Sequence, residues 1–139
     1  LPAGFGDPMF ESVESVLSSL LFSVPAVKAV EFGSGYAMTK ARGSEINDSW
    51  QFDKNGDLVT KTNNNGGILG GISTGMPVVF NVAIKPTASI FKEQDTVNIA
   101  TGENVKLSLK GRHDPCIVVR ALPVIEAVAA LAVYQFVGE

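Results

Sequence analysis

The fold class of this chain follows from the stretch Val78-Val79-Phe80-Asn81-Val82-Ala83-Ile84-Lys85. Large hydrophobic residues occupy every second position of it, namely Val78, Phe80, Val82 and Ile84. Successive side chains of a β-strand point to opposite faces, so this alternation predicts a strand with these four residues on one face. The positions between them form the other face, which ends at Lys85.

Further segments on both sides of this strand predict antiparallel pairing. The predicted strands are residues 27–32, 50–52, 58–60, 96–99 and 105–109. Asn55-Gly56, a dipeptide typical of tight hairpin turns, lies between the second and the third of them. Gly102 lies between the last two, which therefore form another hairpin, with Val105, Leu107 and Leu109 facing inward.

Two helices complete the pattern. In residues 7–24 hydrophobic residues recur at helical spacing, with Asp7 as the cap, and Pro25 ends the helix. Residues 123–137 form a second helix that is hydrophobic on nearly every side, so we expect protein to cover it all round. Two helices and mostly antiparallel strands define the fold class as α+β, an antiparallel sheet packed with helices. Residues 1–139 form a single domain.

Composition and charge exclude several classes of protein. The net charge of -3 argues against a nucleic-acid partner, since nucleic-acid binders carry a clustered basic excess. One cysteine cannot form an intramolecular disulfide, and one histidine leaves too few ligands for a structural zinc site. The most hydrophobic stretch, residues 121–137, is interrupted by polar residues and is shorter than the roughly 20 residues that span a membrane. We therefore expect no membrane partner, no signal peptide and a cytoplasmic location.

Three segments could carry chemistry, and each also has a simpler structural explanation. Residues 62–75 are rich in glycine and asparagine, so their amides could cradle an anion or could only form tight turns. Residues 85–89 combine a lysine with two hydroxyls, which suits a phosphate or carboxylate ligand but also a solvated strand end. Residues 111–116 contain Arg112, an anion binder, and Asp114, which could accept a proton or only orient the start of the last helix.

Five segments occur in an order that resembles the chorismate synthase family. The matching segments are residues 23–33 (SVPAVKAVEFG), 42–48 (RGSEIND), 63–75 (NNNGGILGGISTG), 85–87 (KPT) and 111–116 (GRHDPC), and the last continues through residues 120–127 (RALPVIEA). No single segment is decisive, but five in this order are specific, and they span nearly the whole chain. The resemblance implies a fold that packs helices between two antiparallel sheets, a β-α-β sandwich of which this chain holds about one half.

The resemblance also implies an activity and a cofactor. Chorismate synthases convert 5-enolpyruvylshikimate 3-phosphate to chorismate by eliminating phosphate with loss of a ring proton, the last common step of the shikimate pathway. The intact enzyme is therefore a lyase that breaks a carbon–oxygen bond to phosphate. Members of the family require reduced FMN, although the reaction has no net redox change, and they assemble as homotetramers.

By resemblance, one set of residues matches the family's flavin-contacting positions. These cofactor-binding residues are Pro25, Ala26, Gly70, Lys85, Pro86, Thr87, Ala88, Ser89 and Arg112. Asp114 matches a catalytic carboxylate near the reactive part of the flavin, with a part in proton relay. Many relatives carry asparagine at the position of Pro25, so only a backbone contact is expected there. Some relatives carry serine at the position of His113, so the resemblance assigns His113 no essential role.

The resemblance covers only the C-terminal portion of such an enzyme. The family's N-terminal half supplies two histidines that act as acid catalysts and several arginines that hold the substrate, and a last segment follows the position of Glu139. We therefore expect a fragment that is inactive alone, binds flavin weakly and self-associates through apolar surface around the last helix. Two alternatives stay open, a non-catalytic module that binds FMN or another phosphate ligand, and an oligomerisation domain whose glycine-rich segment is only a turn.

Overall fold

The computed structural model of the chain describes residues 1–138. Its helices are α1 (Val13–Ser23), α2 (Gly43–Ile46) and α3 (Val118–Val137). Its strands are β1 (Val27–Phe32), β2 (Trp50–Phe52), β3 (Leu58–Thr60), β4 (Ile68–Leu69), β5 (Ile72–Ser73), β6 (Phe80–Ile84), β7 (Gln94–Asn98) and β8 (Glu103–Leu107). All the strand pairs are antiparallel, which confirms the α+β class.

The start of α1 is set by a serine cap. The Ser12 hydroxyl oxygen accepts a hydrogen bond from the Ser15 amide at 3.0 Å, which satisfies one of the amides that have no partner inside the helix. The predicted start at Asp7 is therefore too early, because Met9–Glu11 forms a separate 3-10 turn before the cap. The predicted end is confirmed, since α1 stops at Ser23, just before Pro25.

The core forms around one face of α1. The buried residues that cluster there are Val13, Leu17, Leu21, Ile68 and Ala132. The first three recur every four residues along α1, so they share the face that the helix turns towards β1 and α3. This small centre holds together the first helix, the last helix and the pair of strands described next.

The strand that predicts the fold class pairs with β1. β6 runs antiparallel to β1, with Val30 opposite Val82 and Phe32 opposite Phe80. Phe80 and Val82 pack against the core, and the ring centroids of Phe32 and Phe80 lie 6.2 Å apart. Asn81, between them, is exposed. The predicted alternation of the two faces along this strand is therefore confirmed.

The remaining strands form separate two-stranded pairs, β2 with β3, β4 with β5 and β7 with β8. The Asn55-Gly56 hairpin is confirmed, since Phe52 faces Leu58 and Gly56 adopts a φ of +86°. The hairpin of β7 and β8 is also confirmed, but its inward face is not. Val105 and Leu107 are 37% and 45% exposed, because every residue of β8 lies at the surface, away from the core around α1.

The last helix is longer and more exposed than the sequence predicts. α3 begins at Val118 and contains Pro123, rather than beginning at Pro123. Ala132 is the only buried residue among those described in α3, because α1 covers a single face of the helix. Leu131 and Tyr134 are 60% and 66% exposed. The expectation that protein covers this helix all round is therefore wrong for residues 1–138.

By length and composition alone, α3 could cross a membrane. The helix has 20 residues and a mean hydropathy of 1.5 in its most apolar window, of which 6% is buried. This corrects the expectation that the hydrophobic stretch is too short, since the helix extends further towards the N-terminus. Core helices of globular proteins meet the same criteria of length and hydropathy, although they are mostly buried. In α3, Ala132 packs into the centre of the core.

We expect the exposed face of α3 to make the 139-residue chain self-associate, because burying apolar surface is favourable. Replacing Leu131 with glutamate should weaken the association at least about tenfold, since it buries a carboxylate without a partner. Light scattering over a concentration series measures the effect. Ile99→Glu is the matched control, because Ile99 is 93% exposed in the turn between β7 and β8. A monodisperse monomer at high concentration would contradict the prediction.

Candidate functional site

Two of the predicted site segments meet at the end of the β1–β6 pair where β1 begins and β6 ends, which we call the open end. The Lys85 amide donates a hydrogen bond to the Ala26 carbonyl oxygen at 2.7 Å, so Pro25 and Ala26 lie beside the start of residues 85–89. Ala26 has a φ of +72°, a conformation that costs a residue with a side chain about 1–2 kcal/mol. Backbone strain of this kind is concentrated at ligand-binding and active sites. The strand end therefore marks the first part of a candidate site.

A contact between two rings adds the third predicted segment to this site. The rings of Phe91 and His113 meet edge to face, with centroids 5.2 Å apart and planes at 62°. Phe91 follows residues 85–89 closely, and His113 lies between Arg112 and Asp114. The two loops that carry most of the predicted residues thus touch each other. Arg112 is exposed and belongs to neither of the ion pairs found in residues 1–138.

Asp114 has a specific partner in the first turn of α3. The Arg120 Nε atom lies 3.1 Å from Asp114 Oδ2, and the two side chains are 76% and 41% exposed. An ion pair this exposed contributes little to stability, but it orients the carboxylate. Sequence reasoning missed this role of Arg120. A signal was present, because a cation in the first turn of a helix is unfavourable unless a carboxylate offsets it.

Two polar atoms of the site have neither solvent nor a hydrogen-bond partner within residues 1–138. They are Thr87 Oγ1 and His113 Nε2. Buried polar atoms are nearly always hydrogen-bonded, and leaving one unsatisfied costs about 1–3 kcal/mol. Both atoms lie in the two loops that meet through Phe91. Two unsatisfied polar atoms in one cluster mark these loops as a candidate site.

The structure does not bring Gly70 into this cluster. Gly70 lies in the exposed turn between β4 and β5 and has a φ of +62°. A Cβ atom added at Gly70 would meet no other atom within 4 Å. The Val13 amide donates to the Gly71 carbonyl oxygen at 2.9 Å, which places this turn at the start of α1. Pro25 lies beyond the other end of α1. Since α1 has 11 residues, the two ends are about 16 Å apart.

A second polar centre, which sequence reasoning did not single out, holds the asparagine-rich turn. Asp48 Oδ1 accepts hydrogen bonds from the Asn64 amide at 2.8 Å and from the Thr62 hydroxyl at 2.7 Å. Asp48 Oδ2 accepts from the Asn65 amide at 2.8 Å and from the Asn65 side chain at 2.9 Å. A cavity of about 270 Å³ lies alongside, lined by residues that include Asp48 and Trp50. The turn at residues 63–67 is thus tied down by one carboxylate.

Burial raises the pKa of Asp48, but the hydrogen bonds from Asn65, Thr62 and Asn64 outweigh it, so the pKa lies below its ordinary value of 3.8. A carboxyl group with a lowered pKa stabilises the fold above its unfolded-state pKa, and this contribution is lost as the pH falls through the folded-state pKa.

We therefore expect the free energy of unfolding to fall as the pH drops below about 4. Asp48→Asn should lose about 2–4 kcal/mol at pH 7, because its amide group faces amide donors, and should show a shallower acid slope. Urea titrations of both proteins between pH 2 and 7 measure this. Asp53→Asn is the comparison, since hydrogen bonds from Asp57 and Asn55 also lower the pKa of the exposed Asp53. Superimposable pH profiles for the wild type and Asp48→Asn would refute the assignment.

Comparisons with known proteins identify relatives along nearly the entire chain. The family profile described as chorismate synthase matches residues 1–137. The chorismate synthase of Lachnoclostridium phytofermentans is 55% identical over 131 residues, which make up 94% of this chain and 35% of that protein. The chorismate synthase of Chitinophaga pinensis is 51% identical over 136 residues, which make up 98% of this chain and 40% of that protein.

A solved structure extends the likeness to three dimensions. A crystal structure described as chorismate synthase matches with a TM-score of 0.60 at 31% sequence identity, and the match covers 63% of this chain and 27% of that one. The chain spans only 35% to 40% of the length of the two relatives named above. The resemblance seen in the sequence motifs is thereby confirmed, and the chain belongs to the chorismate synthase family.

Proposed function

We propose that this chain forms the flavin-binding part of an enzyme that converts 5-enolpyruvylshikimate 3-phosphate to chorismate and phosphate. Two contacts carry the proposal: Lys85 bonds to the strained Ala26 at the open end of the β1–β6 pair, and Phe91, two residues after residues 85–89, packs against His113. Family membership gives the site its chemistry. The enzyme is accordingly a lyase that acts on phosphates, and its cofactor is FMN in the reduced state.

The residues of the site fit a flavin nucleotide. Thr87 Oγ1 is buried without a partner in residues 1–138, so it has a hydrogen bond to give to a ligand. Lys85 and Arg112 supply positive charge, and the planar guanidinium can bond two oxygens of an anion at once. Bound reduced FMN would lend electron density to the substrate and recover it afterwards, which accounts for a reaction without net redox change.

We assign to Asp114 a part in the proton relay of the reaction. The Arg120 ion pair orients its carboxylate, so one oxygen is held while the other can exchange a proton within a relay. In the elimination the ring C–H bond breaks and gives up its proton. The electrons of that bond enter the new double-bond system, and phosphate leaves with the electrons of the broken C–O bond. Atoms and electrons balance without an external oxidant.

The proposal assigns the complete reaction to a longer assembly than these 139 residues. The chain contains one histidine, whereas the family resemblance calls for two histidine acids from a region that this chain does not match. We expect the chain alone to form no measurable chorismate and to bind FMN weakly. We further propose a cytoplasmic homotetramer for the assembled enzyme, with a small-molecule substrate and with neither nucleic acid nor a membrane as partner.

A hybrid enzyme tests the proposal. Residues 1–137 of this chain replace the matching segment of the Lachnoclostridium phytofermentans relative, which supplies everything outside it. The hybrid is mixed anaerobically with 5-enolpyruvylshikimate 3-phosphate and chemically reduced FMN, and chorismate is followed by ultraviolet absorbance. We expect turnover that Arg112→Ala suppresses. If FMN binds but no chorismate forms, the chain is a non-catalytic flavin-binding module, and if neither occurs, the proposal fails.

A further inference from the structure

We propose that Asn55 is a site of spontaneous covalent modification, at which the side-chain amide is hydrolysed through a cyclic imide to aspartate and isoaspartate. The chain contains the dipeptide Asn-Gly twice, as Asn55-Gly56 and as Asn65-Gly66. This dipeptide favours the reaction, because glycine has no Cβ atom to hinder the approach of its backbone nitrogen to the asparagine side chain. The surroundings of the two copies favour the reaction at the first and prevent it at the second.

The reaction needs only water and a rotation of the turn. The backbone nitrogen of Gly56 gives up its proton and forms a bond to the Cγ atom of Asn55, and the bond from Cγ to Nδ2 breaks. Ammonia leaves with the electron pair of that bond and with the released proton. Water then opens the imide at either of its carbonyl groups. One opening yields aspartate, and the other yields an isoaspartyl residue, in which the main chain runs through the side-chain carbon.

The turn that carries Asn55 is exposed and loosely held. Asn55 and Gly56 are both exposed, and a Cβ atom added at Gly56 would meet no other atom within 4 Å. The Asn55 side chain reaches Asp53 Oδ2 at 3.4 Å, beyond the usual range for a hydrogen bond. The Gly56 amide donates to the Asp53 carbonyl oxygen at 3.2 Å, and this bond has to break before the nitrogen can attack. Little therefore opposes the rotation that brings the Gly56 nitrogen to Cγ.

The turn that carries Asn65 encloses the same dipeptide tightly. Asp48 Oδ2 accepts hydrogen bonds from the amide and from the side chain of Asn65, at 2.8 and 2.9 Å. Gly66 is buried, and a Cβ atom placed on it would overlap the Gly33 nitrogen and lie 2.7 Å from the Val79 carbonyl oxygen. The turn thus has no room to rotate. Asn65 can react only after this part of the protein opens.

The modification changes the hairpin of β2 and β3. Each product carries a carboxylate in place of a neutral amide, close in sequence to Asp53 and Asp57, so that like charges repel each other across the turn. An isoaspartyl residue also adds a carbon atom to the main chain. The longer chain no longer fits the tight turn that places Phe52 opposite Leu58. We therefore expect the modified hairpin to open more readily.

Peptide mapping by mass spectrometry tests the proposal. The folded 139-residue chain is incubated at mildly alkaline pH, which favours loss of the amide proton, and samples are digested at intervals. Trypsin cleaves after Lys54 and Lys61, so the two asparagines fall on different peptides. We expect Asn55 to convert at least about 100-fold faster than Asn65, because two hydrogen bonds from Asn65 to a carboxylate have to break first. A methyltransferase specific for isoaspartyl residues should label the peptide of Asn55.

Controls separate the effect of the fold from that of the dipeptide. In urea, which unfolds the chain, the two asparagines should convert at similar rates. Asn55→Gln should abolish the labelling, because the longer side chain holds its carbonyl carbon away from the Gly56 nitrogen. Gly56→Ala should slow the conversion, since a Cβ atom then stands in the way. The proposal fails if Asn55 converts no faster than Asn65 in the folded chain, or if neither converts there although both convert in urea.

Discussion

Replacing Asp114 with asparagine is expected to lower kcat for chorismate formation by the hybrid enzyme by about 100- to 10,000-fold, the range that positioned proton transfer contributes. Asparagine has nearly the same shape, and its side-chain oxygen can still accept a bond from Arg120. It cannot accept and release a proton. The loss should therefore appear in kcat, while the affinity for FMN changes little. Steady-state kinetics and a flavin titration on the same preparation measure both.

Asp95 offers a matched control for this prediction. It forms an exposed ion pair with Lys106 on the hairpin of β7 and β8, as Asp114 does with Arg120 near the site. Asp95→Asn should leave kcat unchanged. If Asp114→Asn also retained full turnover, the carboxylate would only anchor the start of α3. Arg120→Gln separates these roles further, because it should lower kcat less than Asp114→Asn does.

Gly33→Ala is expected to have the largest effect on stability, a loss of more than about 4 kcal/mol that leaves the 139-residue chain largely unfolded. Gly33 follows β1 with a φ of +56°, and a Cβ atom there would overlap the carbonyl oxygen of Asn64. That carbonyl also accepts a hydrogen bond from the Ser34 amide at 2.8 Å, so it cannot move aside without loss. Circular dichroism with urea titration measures the change.

Two other glycines show how much of this loss of stability comes from the clash and how much from the backbone conformation. Gly102 has a φ of +74° but open space around it, so Gly102→Ala should cost only the conformational strain of about 1–2 kcal/mol. Gly43, in α2, has neither a positive φ nor a close neighbour, and Gly43→Ala should stabilise by up to about 1 kcal/mol. A loss for Gly33→Ala no larger than that for Gly102→Ala would show that residues 63–67 can shift.

The sequence predicts best those features that depend on neighbours along the chain. The alternation in residues 78–85 predicted which residues of β6 share a face, and Asn55-Gly56 predicted the hairpin of β2 and β3, because strand and turn preferences are local. The predicted burial of Leu131 and Val105 was wrong, because hydrophobicity indicates only that a side chain prefers to be buried. Whether another element covers it depends on the rest of the assembly, which local pattern does not contain.

The candidate site shows the same division. Resemblance named residues 85–89, Arg112 and Asp114, but it could not show that Phe91 and His113 join the two loops. Such a contact depends on how the loops leave β6 and enter α3, and no periodicity encodes it. The role of Asp48 could not be predicted either, because the sequence of a motif does not distinguish a carboxylate that binds a ligand from one that stabilises a turn.

The pairing of β1 with β6 has a consequence for the order in which the chain folds. The contact between Glu31 and Asn81 joins residues 50 positions apart in sequence, whereas the other strand pairs join near neighbours. Closing so long a loop has a large entropic cost before any contact compensates for it, while hairpins form in about 1–10 μs. We infer that the hairpins appear first and that docking of β6 onto β1 limits the rate. The open end that carries Ala26 and Lys85 would then be among the last parts of the molecule to form.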